Sequence, residues 1–349
     1  MHIPDGYLSP STCATLYAFA AAGWYSALRR IKHVFAARTV PLISVFAAFS
    51  FIVMMFNVPL PGGTTGHALG VTVGVIVLGP AGAILAVSIA LAIQALLFGD
   101  GGITTLGANC FNIAIVGSLV AYGVYQLVAK GSDVSSRRRV IAAAIAGYTS
   151  INVCALVTAI EFGIQPAFFH DAAGTPLYAP YPLRVAVPAM MIGHLTFAGL
   201  AEAAVSAGMV SYLQSADIGL LRGMVPAKVG AVSGPDARRA PGRLWWAVGL
   251  LMLCTPLGIL AAGSAWGEWS SRDLSARMQD QRSNSGDQAR HLTVPTGMQR
   301  LASIWTAPFP GYAPRFIRSP MLGYFLSAMF AVGLLVLVSL IGVAVERRS

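Results

Sequence analysis

The segment at residues 67–98 reads HALGVTVGVIVLGPAGAILAVSIALAIQALLF and contains no Asp, Glu, Lys or Arg. As one continuous helix it would be about 48 Å long at 1.5 Å per residue, whereas the hydrocarbon core of a bilayer is about 30 Å thick. The Gly79-Pro80 pair interrupts the run, and proline breaks a helix interior. The segment therefore predicts two membrane helices, at 67–79 and 82–98, joined by a tight turn.

Apolar runs of similar length recur along the chain, and together they predict nine membrane spans. Their bounds are 12–28, 40–57, 67–79, 82–98, 107–128, 140–161, 184–213, 244–263 and 321–345. Most lysines and arginines then fall in loops on one side, which the positive-inside rule assigns to the cytoplasm. The predicted fold class is all-α: a polytopic transmembrane helix bundle in a prokaryotic cell (inner) membrane, with the N-terminus outside and the C-terminus inside.

The composition agrees with a membrane protein. Hydrophobic residues make up 56% of the chain and charged residues 10%, against about a quarter charged in soluble domains. Basic inner loops account for the net charge of +10, so membrane lipid, and no nucleic acid, is the expected partner. The opening residues MHIPDG contain no Lys or Arg and do not resemble a cleavable signal peptide, so the free N-terminus is expected to persist.

The predicted spans fall into two units. Residues 1–213 form a seven-span unit, residues 214–243 a cytoplasmic linker, and residues 244–349 a two-span hairpin. The hairpin contains a long extracytoplasmic loop at 264–320, in which no residue suggests a site by its sequence alone.

The first two residues, Met1 and His2, form a pattern that can bind a metal. A divalent metal held by the α-amino group can displace the proton of the next backbone amide, and the imidazole of His2 then closes a second ring. Three nitrogens lie in one plane, which leaves one corner of a square open. Planar nitrogen coordination suits Cu(II) or Ni(II). An unperturbed α-amino group titrates at about pH 8, so metal affinity should fall as the pH drops.

The open corner requires one more imidazole, and His67 is the best candidate. In the nine-span topology it lies on the same outer side as Met1, after a glycine-rich loop that allows close approach of the backbone. The spacing leaves alternatives open. A histidine at the second position also occurs in tails without a metal function, and a single histidine at the start of a helix is more often a loop or helix-end residue than a ligand.

Other polar residues lie on the same side or inside the membrane. Metal-bound imidazoles usually need hydrogen-bond acceptors around them. The candidates for this role are Asp5, Asp100, Asn109 and Asn112. A capped glycine-rich turn is the competing interpretation. His194 and Glu202 lie within the seventh predicted span, where ionisable residues are functional candidates by default, and helix packing is their alternative role.

Four separated segments read MHIPDGYLSP at 1–10, GGTTGHALG at 62–70, FGDGGITTLGANCFN at 98–112 and IGHLTFAGLAEA at 192–203. In order and spacing they resemble the nickel/cobalt substrate-capture component of energy-coupling-factor transporters, the CbiM/NikM family. The segment TPLGILAAGSAWGEW at 255–269 resembles the small companion subunit that is fused to this component in some members.

The resemblance implies a function. Members of this family bind Ni(II) or Co(II) outside through the N-terminal amine, the amide and imidazole of the second residue, and a further imidazole; these positions fall on Met1, His2 and His67. The component associates with a transmembrane coupling (T) subunit driven by cytoplasmic ATPase subunits, and reorientation in the membrane delivers the metal inward. No P-loop pattern occurs in the chain, so we expect a transport component without enzymatic activity or cofactor, whose substrate is Ni²⁺ or Co²⁺.

Two other functions are considered. A cobalt importer component for cobalamin synthesis differs only in the metal, and planar nitrogen coordination favours Ni(II) over Co(II). An ion-coupled secondary metal transporter would use His194, Glu202 and Asp100 as a proton relay, but the chain lacks the internal repeat common in such carriers. A metal-dependent membrane enzyme is disfavoured because four nitrogen ligands leave no position for a coordinated water.

Overall fold

The fold is described from a computed structural model of the chain. The structure describes residues 1–32, 39–56, 58–60, 64–221, 240–260, 267–270, 273–276, 294–314 and 316–346. Much of the predicted linker 214–243 and parts of the predicted loop 264–320 lie outside the described residues.

The segment at 67–98 contains the predicted reversal. Helix α3 (Val71–Ile93) is interrupted at Gly79, whose φ of 74° and ψ of 169° are not helical. A Cβ atom on Gly74 would lie 3.6 Å from the Cβ of Ala83, whereas residues nine apart in a straight helix are separated by about 13 Å. The chain therefore folds back on itself at the Gly-Pro pair.

The arm of α3 before Gly79 is shorter than the predicted span 67–79. Regular helix starts at Val71, because Gly70 is left-handed with a φ of 69° and cannot continue the preceding backbone as a helix. The arm is about 12 Å long, and the irregular residues 67–70 before it add up to about 13 Å if extended. Together they approach the thickness of a hydrocarbon core, so the count of nine spans stays a prediction.

The remaining predicted spans coincide with helices. They are α1 (Pro10–Lys32), α2 (Thr39–Met55), α4 (Leu106–Asn109) continuing into α5 (Gly117–Ala129), α6 (Arg137–Phe168), α7 (Leu183–Gly193) continuing into α8 (Gly199–Ala216), α10 (Ala240–Cys254) and α12 (Pro320–Glu346). Two short helices, α9 (Ile218–Leu221) and α11 (Thr296–Ala302), lie outside the predicted spans. π-Helical turns continue α3 through Gln94–Phe98 and join α4 to α5 and α7 to α8. Five helices in the described parts of the chain are long and apolar enough to cross a membrane, and two shorter ones are apolar. The chain is a helical membrane protein.

A small β-ribbon departs from the all-α prediction. Strand β1 (Val58–Leu60) pairs antiparallel with β2 (Thr64–Gly66), so that Val58 lies opposite Gly66. Pro59 cannot occupy a helix interior, and ladder pairing satisfies backbone groups that a helix would otherwise pair. The ribbon ends at Gly66, directly before His67.

The two predicted units are packed together. Helices α10 and α12 both contact α2. The amide of Met298 donates to the carbonyl of Leu177 at 3.1 Å and the amide of Phe309 donates to that of Leu97 at 2.9 Å. A Cβ atom on Gly6 would lie 2.5 Å from the carbonyl oxygen of Met298, so the segment 294–314 packs close to the N-terminal segment.

Candidate metal centre

The N-terminus is folded into the protein. Met1 is 4% exposed and His2 is 1% exposed. The amide of Ile3 donates to Asn109 Oδ1 at 2.8 Å, and its carbonyl accepts from Asn109 Nδ2 at 3.1 Å and from the amide of Gly102 at 2.9 Å. The residue after His2 is therefore fixed on both of its backbone polar groups, which excludes a disordered tail.

Asp5 ties the same segment to the turn after α3. Its carboxylate accepts from the amides of Ile103 at 3.1 Å and Thr104 at 2.7 Å, and from the Thr104 hydroxyl. A Cβ atom on Gly102 would lie 2.3 Å from the amide nitrogen of Asp5, so only glycine permits this approach. Asp5 thus positions the segment that carries Met1 and His2.

His2 and His67 meet in the interior. Their ring centroids are 4.9 Å apart with the planes tilted by 40°, and His67 is 8% exposed. His67 Nδ1 lies 3.0 Å from the carbonyl of Ala68. Since a carbonyl only accepts, Nδ1 carries the proton, and Nε2 is the nitrogen with a free lone pair. An outer hydrogen bond of this kind orients an imidazole for metal coordination.

The electrostatics keep His67 neutral. Burial, the charge of His2 and the charge of the N-terminal amine lower the pKa of His67 to about 3. A neutral imidazole is the form that binds metals. The ring is therefore available as a ligand throughout the physiological pH range without having to lose a proton.

His2 is held by Asp100, one of the predicted acceptors. Its Nδ1 pairs with Asp100 Oδ1, and its buried Nε2 has no partner among the described residues. Burial raises the pKa of Asp100, but the charge of His2 and the hydrogen bonds from His2 and Tyr312 outweigh this and hold that pKa below its usual range. Only Nδ1 can close a chelate ring with the His2 amide, so metal capture requires this nitrogen to exchange Asp100 for the metal.

The C-terminal unit supplies two residues that the sequence reasoning missed. The N-terminal amine forms an ion pair with Glu268, and the Tyr312 hydroxyl donates to Asp100 Oδ2 at 2.6 Å. Burial, and then the charge of Asp100, raise the pKa of Tyr312 well above its usual value, so the hydroxyl remains a donor. An isolated carboxylate between the tryptophans of the WGEW sequence at 266–269 was the signal that could have identified Glu268.

In the described parts of the chain, the other predicted residues form hydrogen bonds with groups other than the two histidine rings. Asn112 donates to Glu161 at 2.8 Å and to Thr158 at 3.2 Å, because it enters the helical stretch one turn beyond Asn109. His194 Nδ1 donates to the carbonyl of Met190 at 2.8 Å. Glu202 does not pair with His194 but accepts from the backbone just after His67.

No three side chains of His, Cys, Asp or Glu converge as a metal-binding group in the parts of the chain that the structure describes. Two histidines and one backbone amine do come together, at Met1, His2 and His67. The N-terminal pattern predicts a metal centre of this kind, in which main-chain nitrogens join the two imidazoles.

A family model described as "Cobalt uptake substrate-specific transmembrane region", CbiM, matches residues 2–219. The chain belongs to this family. The resemblance inferred from the four sequence segments is confirmed, and the matched residues include His2, His67 and the turn around Asp100.

Relatives with both units exist. The "Fused nickel transport protein NikMN" of Rhodobacter capsulatus is 50% identical over 338 residues, which cover 96% of this chain and 95% of that protein. The "Probable fused nickel transport protein LarMN" of Lactiplantibacillus plantarum is 38% identical over 337 residues, covering 95% and 94% respectively. A solved structure titled "Crystal Structure of an Truncated Transition metal Transporter" is 50% identical with a TM-score of 0.58, and covers 62% of this chain and 99% of its own.

Proposed function

We propose that this chain is the substrate-capture component of an ATP-driven energy-coupling-factor importer for Ni(II), fused to a companion unit. The observation that supports it most is the joint burial of the N-terminal amine, His2 and His67, with ring centroids 4.9 Å apart. The names of the two fused relatives, both nickel transport proteins, agree with it.

The proposed ligands are four nitrogens: the Met1 amine, the His2 amide, His2 Nδ1 and His67 Nε2. In the structure, Glu268 pairs with the Met1 amine and Asp100 pairs with His2 Nδ1. Both carboxylates attract a divalent cation to the place where it will be bound. As the metal displaces them, the amine and the amide each lose a proton, so binding is favoured by higher pH. Asp5 and Asn109 hold the backbone in place during the exchange.

The transport step requires partners. The chain has no P-loop pattern, so ATP hydrolysis is assigned to cytoplasmic ATPase subunits, coupled through a separate transmembrane T subunit. The proposed topology has nine spans in the prokaryotic cell membrane, with Met1, His67 and the turn at Asp100 on the outer side. The domain boundaries at 1–213, 214–243 and 244–349 belong to the same proposal.

Nickel is preferred to cobalt on coordination grounds. A square of nitrogens suits Ni(II), which also binds nitrogen ligands more tightly than Co(II). The relatives' names point the same way, although the family model is described by cobalt uptake. The cobalt alternative, supply of Co(II) for cobalamin synthesis, predicts that Co(II) competes with Ni(II) for uptake at equal concentration.

Accumulation of radioactive nickel in cells tests the transport proposal. Cells that express the chain with its T and ATPase subunits should accumulate nickel, and an ATPase variant unable to hydrolyse ATP should abolish accumulation. His2→Ala should abolish it as well. Nickel uptake that persists without any ATPase would instead support an ion-coupled secondary transporter and contradict the proposal.

A further inference from the structure

Glu202 connects a membrane helix to residues 67–70, the irregular segment before α3 that is called the His67 loop below. It lies on α8 and is 1% exposed. Its Oε2 accepts from the amide of Leu69 at 2.6 Å and from the amide of Gly70 at 3.0 Å, and its Oε1 accepts from the Ser206 hydroxyl at 3.3 Å. Both oxygens of this buried carboxylate are therefore engaged, and the two shortest contacts go to backbone beside the proposed ligand.

The two amides need an acceptor that their own helix does not offer. Leu69 and Gly70 immediately precede α3, and amides at the start of a helix have no carbonyl one turn before them. A buried amide without a partner is costly, and a carboxylate at a helix N-terminus is favoured by the helix dipole. Glu202 thus caps α3 from another helix and fixes the path of the backbone two residues after His67.

The orientation of the His67 ring depends on this path. Among the described residues, the ring forms a hydrogen bond from Nδ1 to the carbonyl of Ala68, which directly precedes the amide of Leu69. The carbonyl of Ala68 and the amide of Leu69 belong to one rigid peptide plane. By holding the amide of Leu69, Glu202 therefore also holds the carbonyl that orients the imidazole.

Glu161 provides a matched contrast. It is also a buried glutamate on a membrane helix, α6, and it is 6% exposed. One of its oxygens accepts from Asn112 at 2.8 Å, while Oε1 has no partner among the described residues. Among the described residues, Glu161 accepts no hydrogen bond from a backbone amide near His67. A change at Glu161 therefore controls for the general effect of altering a buried carboxylate.

We propose that Glu202 is a positioning residue for metal capture: it holds the His67 loop so that Nε2 of His67 faces the N-terminal nitrogens. This rests on the proposed function for the identity of the ligand, but the loop contact itself does not. Positioning requires an acceptor oxygen within hydrogen-bond distance of the two amides. It does not require a charge, since a neutral oxygen can accept from both amides. A proton relay through Glu202 would depend on the carboxyl group instead.

Two substitutions separate reach from charge in the full-length chain. Glu202→Gln keeps an oxygen at the same reach and loses the charge; it should leave Ni(II) affinity within about twofold of the unchanged protein. Glu202→Asp keeps the charge and withdraws the oxygens by one methylene; it should weaken affinity about 10- to 100-fold, the usual effect of removing a group that orients a metal ligand. The Asp variant should also shift the Ni(II) absorption spectrum towards that of His67→Ala. If Glu202→Gln lost Ni(II) affinity and Glu202→Asp kept it, the carboxyl group itself would be required, and the proposal would be overturned.

A double variant tests whether the effect passes through His67. Adding Glu202→Asp to His67→Ala should cause no further loss of affinity, whereas an independent structural effect would lower it by the same factor again. Glu161→Asp should leave the spectrum unchanged. A spectral change of equal size in Glu161→Asp would show a general response to altered buried carboxylates and contradict the assignment.

Hydrogen exchange of the metal-free chain in nanodiscs distinguishes this inference from the proposed function. The peptide covering residues 67–72 should exchange faster in Glu202→Asp than in the unchanged protein or in Glu202→Gln. If exchange responds in this way but His67→Ala retains full nickel affinity, the loop contact is correct and the ligand assignment is wrong. Unchanged exchange in Glu202→Asp overturns the positioning role, whatever the ligands are.

Discussion

Two segments supply the proposed ligands, and they are held in different ways. The N-terminal segment 1–9 is fixed by two sets of hydrogen bonds: the Asn109 side chain accepts from the amide of Ile3, and the backbone amides of Ile103 and Thr104 donate to the carboxylate of Asp5. The His67 loop is fixed from inside the membrane domain by Glu202. Three of the proposed nitrogens thus belong to two consecutive residues, and the fourth depends on packing between distant helices.

This difference has a consequence for function. The N-terminal chelate is set by covalent geometry, so a change at the amine should remove the whole site at once. The position of His67 is set by hydrogen bonds, so changes there should give graded losses. The coordination of His67 is also the part that a movement of α8 could alter, because Glu202 lies on that helix.

The largest effect is expected from one extra residue before Met1. An added alanine converts the Met1 amine into an amide and moves the free amine out of the chelate ring. Ni(II) affinity should fall by more than about 1,000-fold, well beyond the roughly 10- to 100-fold loss typical of changes to outer groups. Isothermal titration measures the affinity, and intact mass spectrometry verifies the N-terminus.

The matched control for this extension adds the same alanine after Ser349 and should bind as the unchanged chain does. Equal affinity in the N-terminally extended chain would contradict any role of the free amine.

His67→Ala should have the next largest effect. It removes one ligand but leaves the N-terminal chelate. The Ni(II) affinity should therefore fall by at least about 100-fold, the largest loss usual for residues that only support a metal ligand. The Ni(II) absorption spectrum should lose its planar four-nitrogen form. A planar spectrum that survives this substitution would mean that another residue provides the fourth nitrogen.

Asn109→Ala should loosen the N-terminal segment without removing a ligand. Both backbone groups of Ile3 lose their bonds to Asn109, and affinity should weaken about tenfold, as for other residues that support metal ligands. Asn112→Ala is the matched control, since this neighbouring buried asparagine bonds to Glu161 instead. The comparison fails if the two variants lose affinity equally.

The smallest effect concerns pH. Because the pKa of His67 is lowered to about 3, its ring is already neutral between pH 5 and 7 and releases no proton when it binds metal. The slope of log affinity against pH in this range should therefore be the same in His67→Ala as in the unchanged chain. A shallower slope in the variant would show that His67 is protonated before capture, against its buried position.

The sequence predicted the local features of this molecule well. The reversal at Gly79-Pro80 follows from chain length and proline chemistry, and the chelating potential of Met1 and His2 follows from the order of atoms along the backbone. Asp100 was one of four acceptor candidates in the sequence, and the structure places it beside His2 Nδ1; its role around a bound metal stays a prediction. Each of these features is determined by a short stretch of sequence or by the predicted side of the membrane on which a residue lies.

The remaining features depend on contacts between distant residues. Glu268 is 267 positions from Met1 and Glu202 is 133 from Leu69, and no periodicity connects such pairs. Asn112 seemed equivalent to Asn109 in sequence, yet the helical turn between them directs it to Glu161. The short β-ribbon before His67 was also not predicted, because two three-residue strands are too short to give an alternating pattern.

X-ray absorption at the nickel K-edge of the loaded full-length chain, in nanodiscs near neutral pH, tests the central claim most directly. The account predicts a four-coordinate planar site of nitrogen donors, diamagnetic, with one metal per chain. A six-coordinate paramagnetic site that retains carboxylate oxygens from Glu268 or Asp100 would contradict it, because those residues would then be ligands and not the groups that the metal displaces.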